Sequence, residues 1–381
     1  MRDILYNMIT MASNGFLFIT TLLMIKFLSV QEMAIYFYSL SIYTILSLLT
    51  NLYFSKVARE IALSHQPEHM IRGYVGVIYI LSIIVSLITS IISSSPLSLM
   101  FNFIVWHIID YTNNLLSIIM HPKRIISIVL PRLIKTVVAV ILIFLGQFNL
   151  DNFLWISSLL AILTFGIINF KILLPDSLLF PNIDIKNLGM FIDSIFGTLL
   201  HNIDNIIMRD VKGFNEYSFT NINYVTNYLK YVSGIFYGIT FPFLLQDLKR
   251  FSKIKINNFI LHFSLPMALF CITIIMLFII YNTLIEIDMR MMNNYFNLVI
   301  AFSMISFTIA IRNILVALDY KKPLVVLEFI STMIYIIMLI FGLDNSEPFT
   351  SYSTTLLQYS IITFLIYLLF SLRILPRFIQ F

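Results

Sequence analysis

Charge is what this sequence has least of. Of 381 residues only 11% are Asp, Glu, Lys or Arg, 59% are hydrophobic, and the mean hydropathy is +0.93. A soluble globular domain carries about 25% charged residues, so the composition excludes a soluble fold and gives a polytopic membrane protein. Cysteine is nearly missing too: Cys271 is single, which excludes an internal disulfide, and it sits in an apolar run as a small hydrophobe. No Gly-rich phosphate loop, no Cys/His metal spacing and no G-x-S-x-G elbow is present. No catalytic residue, metal site or bound cofactor is therefore expected. The N-terminus shows no cleavable signal with a small-residue cleavage site, so the first apolar run is expected to stay as a span.

What is there is a succession of long apolar runs. A spanning helix needs about 20 mostly apolar residues. On that rule the chain predicts an all-α fold of about twelve transmembrane helices. They run near 12–30, 33–54, 74–94, 97–120, 125–145, 152–174, 187–208, 217–246, 257–281, 295–318, 323–343 and 351–373. A polar segment flanked by Pro175 and Pro181 separates two groups of six. The expected organisation is an N-terminal six-helix lobe 1–175, a linker 176–186 and a C-terminal six-helix lobe 187–381.

The halves echo each other. FLSVQEMAIYFYSLSIY, Phe27 to Tyr43, returns 181 residues later in the stretch His201 to Tyr224, with Val30 on Val211, Tyr36 on Tyr217, Tyr38 on Phe219 and Tyr43 on Tyr224. Pseudo-symmetric halves of this kind are common in secondary transporters. The basic loops repeat as well, after spans 2 and 8 and after spans 4 and 10. Lysine and arginine crowd the loops on one side: Arg2; Lys56, Arg59 and Arg72; Lys123 and Arg124; Lys171 and Lys186; Lys249, Arg250, Lys253 and Lys255; Lys321 and Lys322; Arg373 and Arg377. The other side has Arg209, Lys212 and Arg290. The positive-inside rule puts the crowded side, the linker and both termini in the cytoplasm. The net charge of +5 thus reads as orientation and attraction to anionic lipid headgroups, not as nucleic-acid binding.

Ionisable groups within spans are costly, by about 2.5–3.5 kcal/mol or more each, and usually face a bundle interior or a wet cavity. Span 4 carries a polar face at helical spacing, Asn102, Trp106, Asp110, Asn113, Asn114 and Ser117, with His107 beside it. Span 7 has Asp193, Gly197, His201 and Asp204. Such faces either hydrogen-bond across helices or line water. Arg132 and Lys135, nearly one turn apart deep in span 5, cannot both snorkel to the surface. Lys230 is also mid-span. Arg312 and Glu328 lie close enough to the cytoplasmic face to snorkel, and lone histidines such as His107 and His201 are more often buried hydrogen-bonding residues than proton carriers.

With these residues in hand the chain resembles a known family. FLSVQEMAIYFYSLS is similar to the "lLsp-eeyGlY" signature between spans 1 and 2 of the Wzx-type O-antigen/polysaccharide flippases of the MOP exporter superfamily, with Met33-Ala34 where a glycine commonly precedes the tyrosine. Asp204-Asn-Ile-Ile-Met followed by Glu216-Tyr217 resembles the matching signature at span 7. The resemblance implies two six-helix lobes of MATE type that open alternately to each side of a bacterial cytoplasmic (inner) membrane. It implies a lipid-linked oligosaccharide on undecaprenyl diphosphate as cargo, for O-antigen, lipopolysaccharide or capsule synthesis. Membrane lipids and other polysaccharide-assembly membrane proteins are the implied partners. A cationic interior suits a diphosphate, with Arg132, Lys135 and Lys230 as substrate-binding residues and Lys26 and Arg312 flanking them. Asp110, Asp193, Asp204 and His201 are the expected coupling or gating residues, for a proton or a sodium ion. Two rivals remain: an ion-coupled drug or cation antiporter of the same superfamily, and a membrane polysaccharide polymerase, for which the outside loop Asn282–Asn294 is short.

Overall fold

The structure is a computed structural model that describes residues 2–48, 50, 57, 61, 67–118, 123–175, 178, 199, 202–227, 254–255, 292–318, 320–372, 374 and 379–380. The chain divides into two compact units, Met1–Thr198 and Leu199–Phe381. Both are helical; among the described residues the one sheet is a two-residue parallel ladder pairing Ile254–Lys255 with Ile379–Gln380.

The first unit begins with α1 (Arg2–Phe27), which runs ten residues ahead of its expected apolar start. The same happens at α3 (Pro67–Ser93). In both, the extra turns hold charged residues, Arg2 and Asp3 in one, Glu68 and Arg72 in the other, because a helix can continue beyond the hydrocarbon into the polar interface. Proline at the first position of α3 costs nothing, since that N–H has no helical partner. The turn from α1 to α2 (Val30–Leu46) explains the signature found there. The Ser29 hydroxyl accepts the Glu32 N–H (3.2 Å), and Glu32 Oε2 accepts the Ser29 N–H (2.9 Å), a capping box. Glu32 Oε1 reaches further and accepts the Leu150 N–H (2.8 Å) at the start of α6 (Leu150–Leu173). One carboxylate thus satisfies orphan donors on two helices. Burial works to raise the Glu32 pKa, but hydrogen bonds from Leu150 and Ser29 prevail and hold it below the usual carboxylate value.

Between these lie α4 (Leu97–Ile118) and α5 (Arg124–Phe144). Helix α3 packs along α4, α1 along α5, and α6 against both α4 and α5. Their inner faces make a core in which Val105, Trp106 and Ile109 of α4 meet Ala161 and Phe165 of α6. Their outer faces expose Ile83, Ile84, Leu87 and Ile91 of α3 and Leu159, Leu163, Ile167 and Phe170 of α6. Those steps of one, three and four residues form lipid-facing stripes on single helix faces.

In the second unit, residues 202–211 form α7, whose last turn, Ile207–Val211, is π-helical and is closed by Lys212 N–H to the Ile207 carbonyl (2.9 Å). After a turn through Gly213, which takes the positive φ (+64°) that glycine tolerates, residues 216–227 form α8. Asn215 caps α8 by accepting the Ser218 N–H (2.8 Å). The caps Ser29 and Asn215 are therefore 186 residues apart, not 181. Matched on their caps, Lys26 falls on Lys212 and the buried Tyr38 on the buried Tyr224. Helices α1 and α7 end 184 residues apart, at Phe27 and Val211, and the second turn, four residues (212–215) against two, adds the other two. Helices α9 (Met292–Ala317), α10 (Lys321–Gly342) and α11 (Pro348–Leu372) complete the described part, with α9 packed along α11.

Among the described residues six helices are long and apolar enough to cross a membrane: Glu68–Ser93, Arg124–Phe144, Leu150–Leu173, Asn293–Arg312, Pro323–Gly342 and Pro348–Leu372. The protein is a multi-pass, all-helical membrane protein. The expected span 257–281, most of the linker, and the site residues Asp193, His201 and Lys230 lie outside the described residues.

Candidate functional site

In the first unit the polar face of α4 meets α5, and Asn102, Trp106, Asp110 and Asn113 each find a distinct use. Pro131 lies inside α5 and lacks the N–H that would bind the Ser127 carbonyl one turn back. Asn113 of α4 supplies the missing donor, its Nδ2 reaching the Ser127 oxygen at 3.1 Å. The Ser127 hydroxyl in turn bonds Asn169, where α6 leaves helical geometry (φ −114°, ψ 21°). Further along, Ser158 of α6 donates to Asn102 (3.2 Å). Asn102 and Asn113 therefore stitch α4 to its neighbours.

That stitching fixes the register of the charged residues between them. One turn before Asn113, Asp110 faces Arg132 at 3.9 Å. Arg132 also donates to Ser13 of α1 (2.8 Å), and Thr136, one turn on, meets Thr20 of α1 (2.9 Å). One turn before Asp110 stands Trp106, and the Lys135 ammonium lies 4.8 Å from its ring centroid and 5.8 Å from that of Phe153. Lys135 is 6% exposed and makes no hydrogen bond or ion pair among the described residues. The Trp106 indole N–H is likewise buried without an acceptor among them. The Asp110 side chain, by contrast, is 49% exposed. A half-exposed carboxylate in mid-span, beside two inward cations, is of the kind that faces a bundle interior or water, since lipid would not solvate it. Contact with an aromatic face offsets only about 2 kcal/mol of a desolvated ammonium's cost, so Lys135 is held short of a partner.

His107 is settled differently. It is fully buried, with Nδ1 against the Tyr43 hydroxyl (2.9 Å) and Nε2 against that of Thr50 (2.9 Å), and it stacks on Tyr111 (4.5 Å between centroids). Both ring nitrogens are used, one in holding α4 to Tyr43 of α2 and the other to Thr50 beyond its end.

In the second unit Asp204, 1% exposed, accepts the Tyr352 hydroxyl (2.8 Å) and the Asn205 N–H (2.9 Å). Tyr335 of α10 stands next in line beside Tyr352, and its ring packs on Tyr359 (4.5 Å). Arg312 of α9 is paired with Glu328 of α10, which is 2% exposed, so its charge is balanced inside the unit rather than carried out to the surface. Lys26, at the end of α1, is exposed. The sequence singled out Asp110, Arg132 and Lys135 as separate features of two helices, and the structure brings them together. Tyr352 was missed. A tyrosine near the start of an apolar run reads as an interface anchor, and nothing local reveals its carboxylate partner.

No protein-family model and no curated protein matches the chain. Two solved structures do. One is the outward-facing conformation of a multidrug resistance MATE family transporter of the MOP superfamily, with TM-score 0.64, 11% identity, and 98% of this chain and 96% of that chain covered. The other is the MATE multidrug transporter DinF-BH in complex with rhodamine 6G, with TM-score 0.61, 13% identity, and 97% and 93% covered. At such identity the likeness is one of architecture, and the chain has the fold of the MATE transporters over nearly its whole length.

Proposed function

We propose that the protein is a flippase that carries a lipid-linked oligosaccharide, borne on undecaprenyl diphosphate, across a bacterial cytoplasmic membrane by alternating access. The observation that carries this reading is Lys135, a buried ammonium with no acceptor among the described residues, near Arg132 and the half-exposed Asp110. An unpartnered buried cation is costly, and an anionic headgroup arriving there removes the cost. A cationic drug would add to it. The flipped direction, from the cytoplasmic to the periplasmic leaflet with both termini cytoplasmic, rests on the crowding of lysine and arginine in alternate loops. Lys230, Lys26 and Arg312 belong to the same reading as secondary contacts, and Asp110, Asp193, Asp204 and His201 as the groups that couple the cycle to a proton or sodium gradient.

The second reading, an ion-coupled drug or cation antiporter, is favoured by the carboxylates Asp110 and Asp204, one in each unit. Both solved structures of like fold are described as multidrug transporters. One experiment separates the two. The purified protein is placed in liposomes with a fluorescent undecaprenyl-diphosphate oligosaccharide or with the cationic dye rhodamine 6G. Flipping of the lipid that disappears in the Arg132→Ala/Lys135→Ala double variant supports the flippase. Uptake of the dye with an immobile lipid overturns it in favour of the antiporter.

A further inference from the structure

Resting on the anionic-cargo reading, we infer that Asp110 is an internal rival of the cargo, so that seating a phosphate group on Arg132 and Lys135 and protonating Asp110 are one linked event. In the structure Asp110 is the carboxylate beside Arg132, at a loose 3.9 Å and with half its side chain accessible. It acts on Lys135 through space as well. Lys135 and Trp106 present two further buried donors, an ammonium and an indole N–H, with no acceptor among the described residues. Neither donor meets an acceptor among the described residues, and phosphate oxygens would supply one.

Charge then decides what becomes of Asp110. Two cations match a doubly charged diphosphate diester and leave no positive charge for a third anion. A carboxylate left ionised beside the phosphates would be repelled by them and deprived of Arg132, and like charges at such range disfavour the ionised form strongly. The remaining groups facing it cannot take over. From its own helix these are His107, held by Tyr43 and Thr50, and Tyr111, and from α2 Tyr43. The charged residues of α3 and α6, Glu68, Arg72, Asp151 and Lys171, sit at the far ends of their helices. The proton comes from water, which the half-exposed Asp110 side chain can meet. Asp110 binds it as the phosphate takes Arg132, and returns it when the phosphate leaves, so the site changes by one negative charge, the proton offsetting one of the cargo's two.

Linkage makes the effect reciprocal. Phosphate binding should strengthen as pH falls, by up to about tenfold per pH unit for one proton taken up. The chain contains two tryptophans. Trp155 is 45% exposed and lies on the outer side against Phe101. Trp155→Phe therefore leaves Trp106 as the single fluorescent reporter at the site. In that background, undecaprenyl diphosphate and inorganic pyrophosphate are titrated into the detergent-solubilised protein from pH 5.5 to 8.5, and proton uptake is followed in weak buffer.

The expected result is a Trp106 response to either probe, a pH-dependent affinity, and uptake of about one proton more per bound diphosphate than in Asp110→Asn. Asp110→Asn should bind at least as tightly at every pH and keep only the pH dependence of the probes' own phosphate groups, which titrate at about pH 6. A response to the lipid alone places the source in the headgroup of a lipid carrier, and an equal response to pyrophosphate places it in free phosphate; the linkage holds in either case. If both proteins bind with the same pH dependence, the linkage is overturned and the anionic-cargo reading stands. If neither probe moves Trp106 while rhodamine 6G does, both fall together. Lys135→Met separates misfolding from function: it should abolish the response to phosphate while keeping the elution profile of the parent.

Discussion

The Asn113–Pro131 arrangement gives a prediction with a built-in control. Asn113 is 2% exposed and Ser127 fully buried, so replacing Asn113 by Ala leaves the Ser127 carbonyl without a donor where water does not reach. An orphaned buried carbonyl costs about 1–3 kcal/mol. Hydrogen bonds between membrane helices average lower, about 0.6 and at most about 1.7 kcal/mol. The expected loss for Asn113→Ala is therefore about 1–2 kcal/mol. Pro131→Ala restores a backbone N–H one turn from that carbonyl, so the helix itself can satisfy it. In the Pro131→Ala background, Asn113→Ala should cost less than half as much. The assay is reversible unfolding of the purified protein in mixed micelles, run as a double-mutant cycle. If Asn113→Ala costs the same in both backgrounds, the side chain is not serving the carbonyl that proline abandoned, and the reasoning fails.

Two more predictions concern the helix ends. The Glu32 carboxylate has its pKa held below the unfolded value, so its contribution is present above the unfolded pKa and is lost as pH falls through the folded one. Acid unfolding should therefore be less steep for Glu32→Gln than for the parent, and a superimposable pair of acid limbs would refute the role. At Gly342, an added Cβ would lie 2.5 Å from Thr355 Oγ1 and 3.2 Å from its Cγ2. Gly342→Ala should destabilise the second unit by about 1–3 kcal/mol, and Thr355→Ala, which removes both clashing atoms, should recover part of that loss in the same unfolding assay.

Span positions were legible because hydrophobicity alone sets them, and the runs 125–145, 323–343 and 351–373 came within three residues of α5, α10 and α11. Helix starts were less so: the hydrocarbon rule sees only the apolar part of a helix, and α1 and α3 continue past it. Of the site, the polar face of α4 and the paired cations of α5 could be read, since 3.6-residue spacing and burial cost are sequence properties. Which residue meets which could not, because that depends on how two helices are set in rotation and height. Arg312 and Glu328 are the instructive case. Each lies eight residues from Tyr320, at the turn between α9 and α10, so equal height on an antiparallel pair was already written in the spacing. Considering each against the membrane face, rather than against each other, missed it.

The π turn at Ile207–Val211 has a consequence for how this chain tolerates change in length. A π turn is an α turn holding one residue more, so helix α7 carries a spare residue between Asp204, which is tied to Tyr352, and Asn215, which starts α8. Removing one residue there would let the turn relax to α-helix and take up the loss before it reached either tie. A deletion of the same size in α4, between Trp106 and Asn113, has no such reserve and would turn the two ends of the polar face about 100° apart.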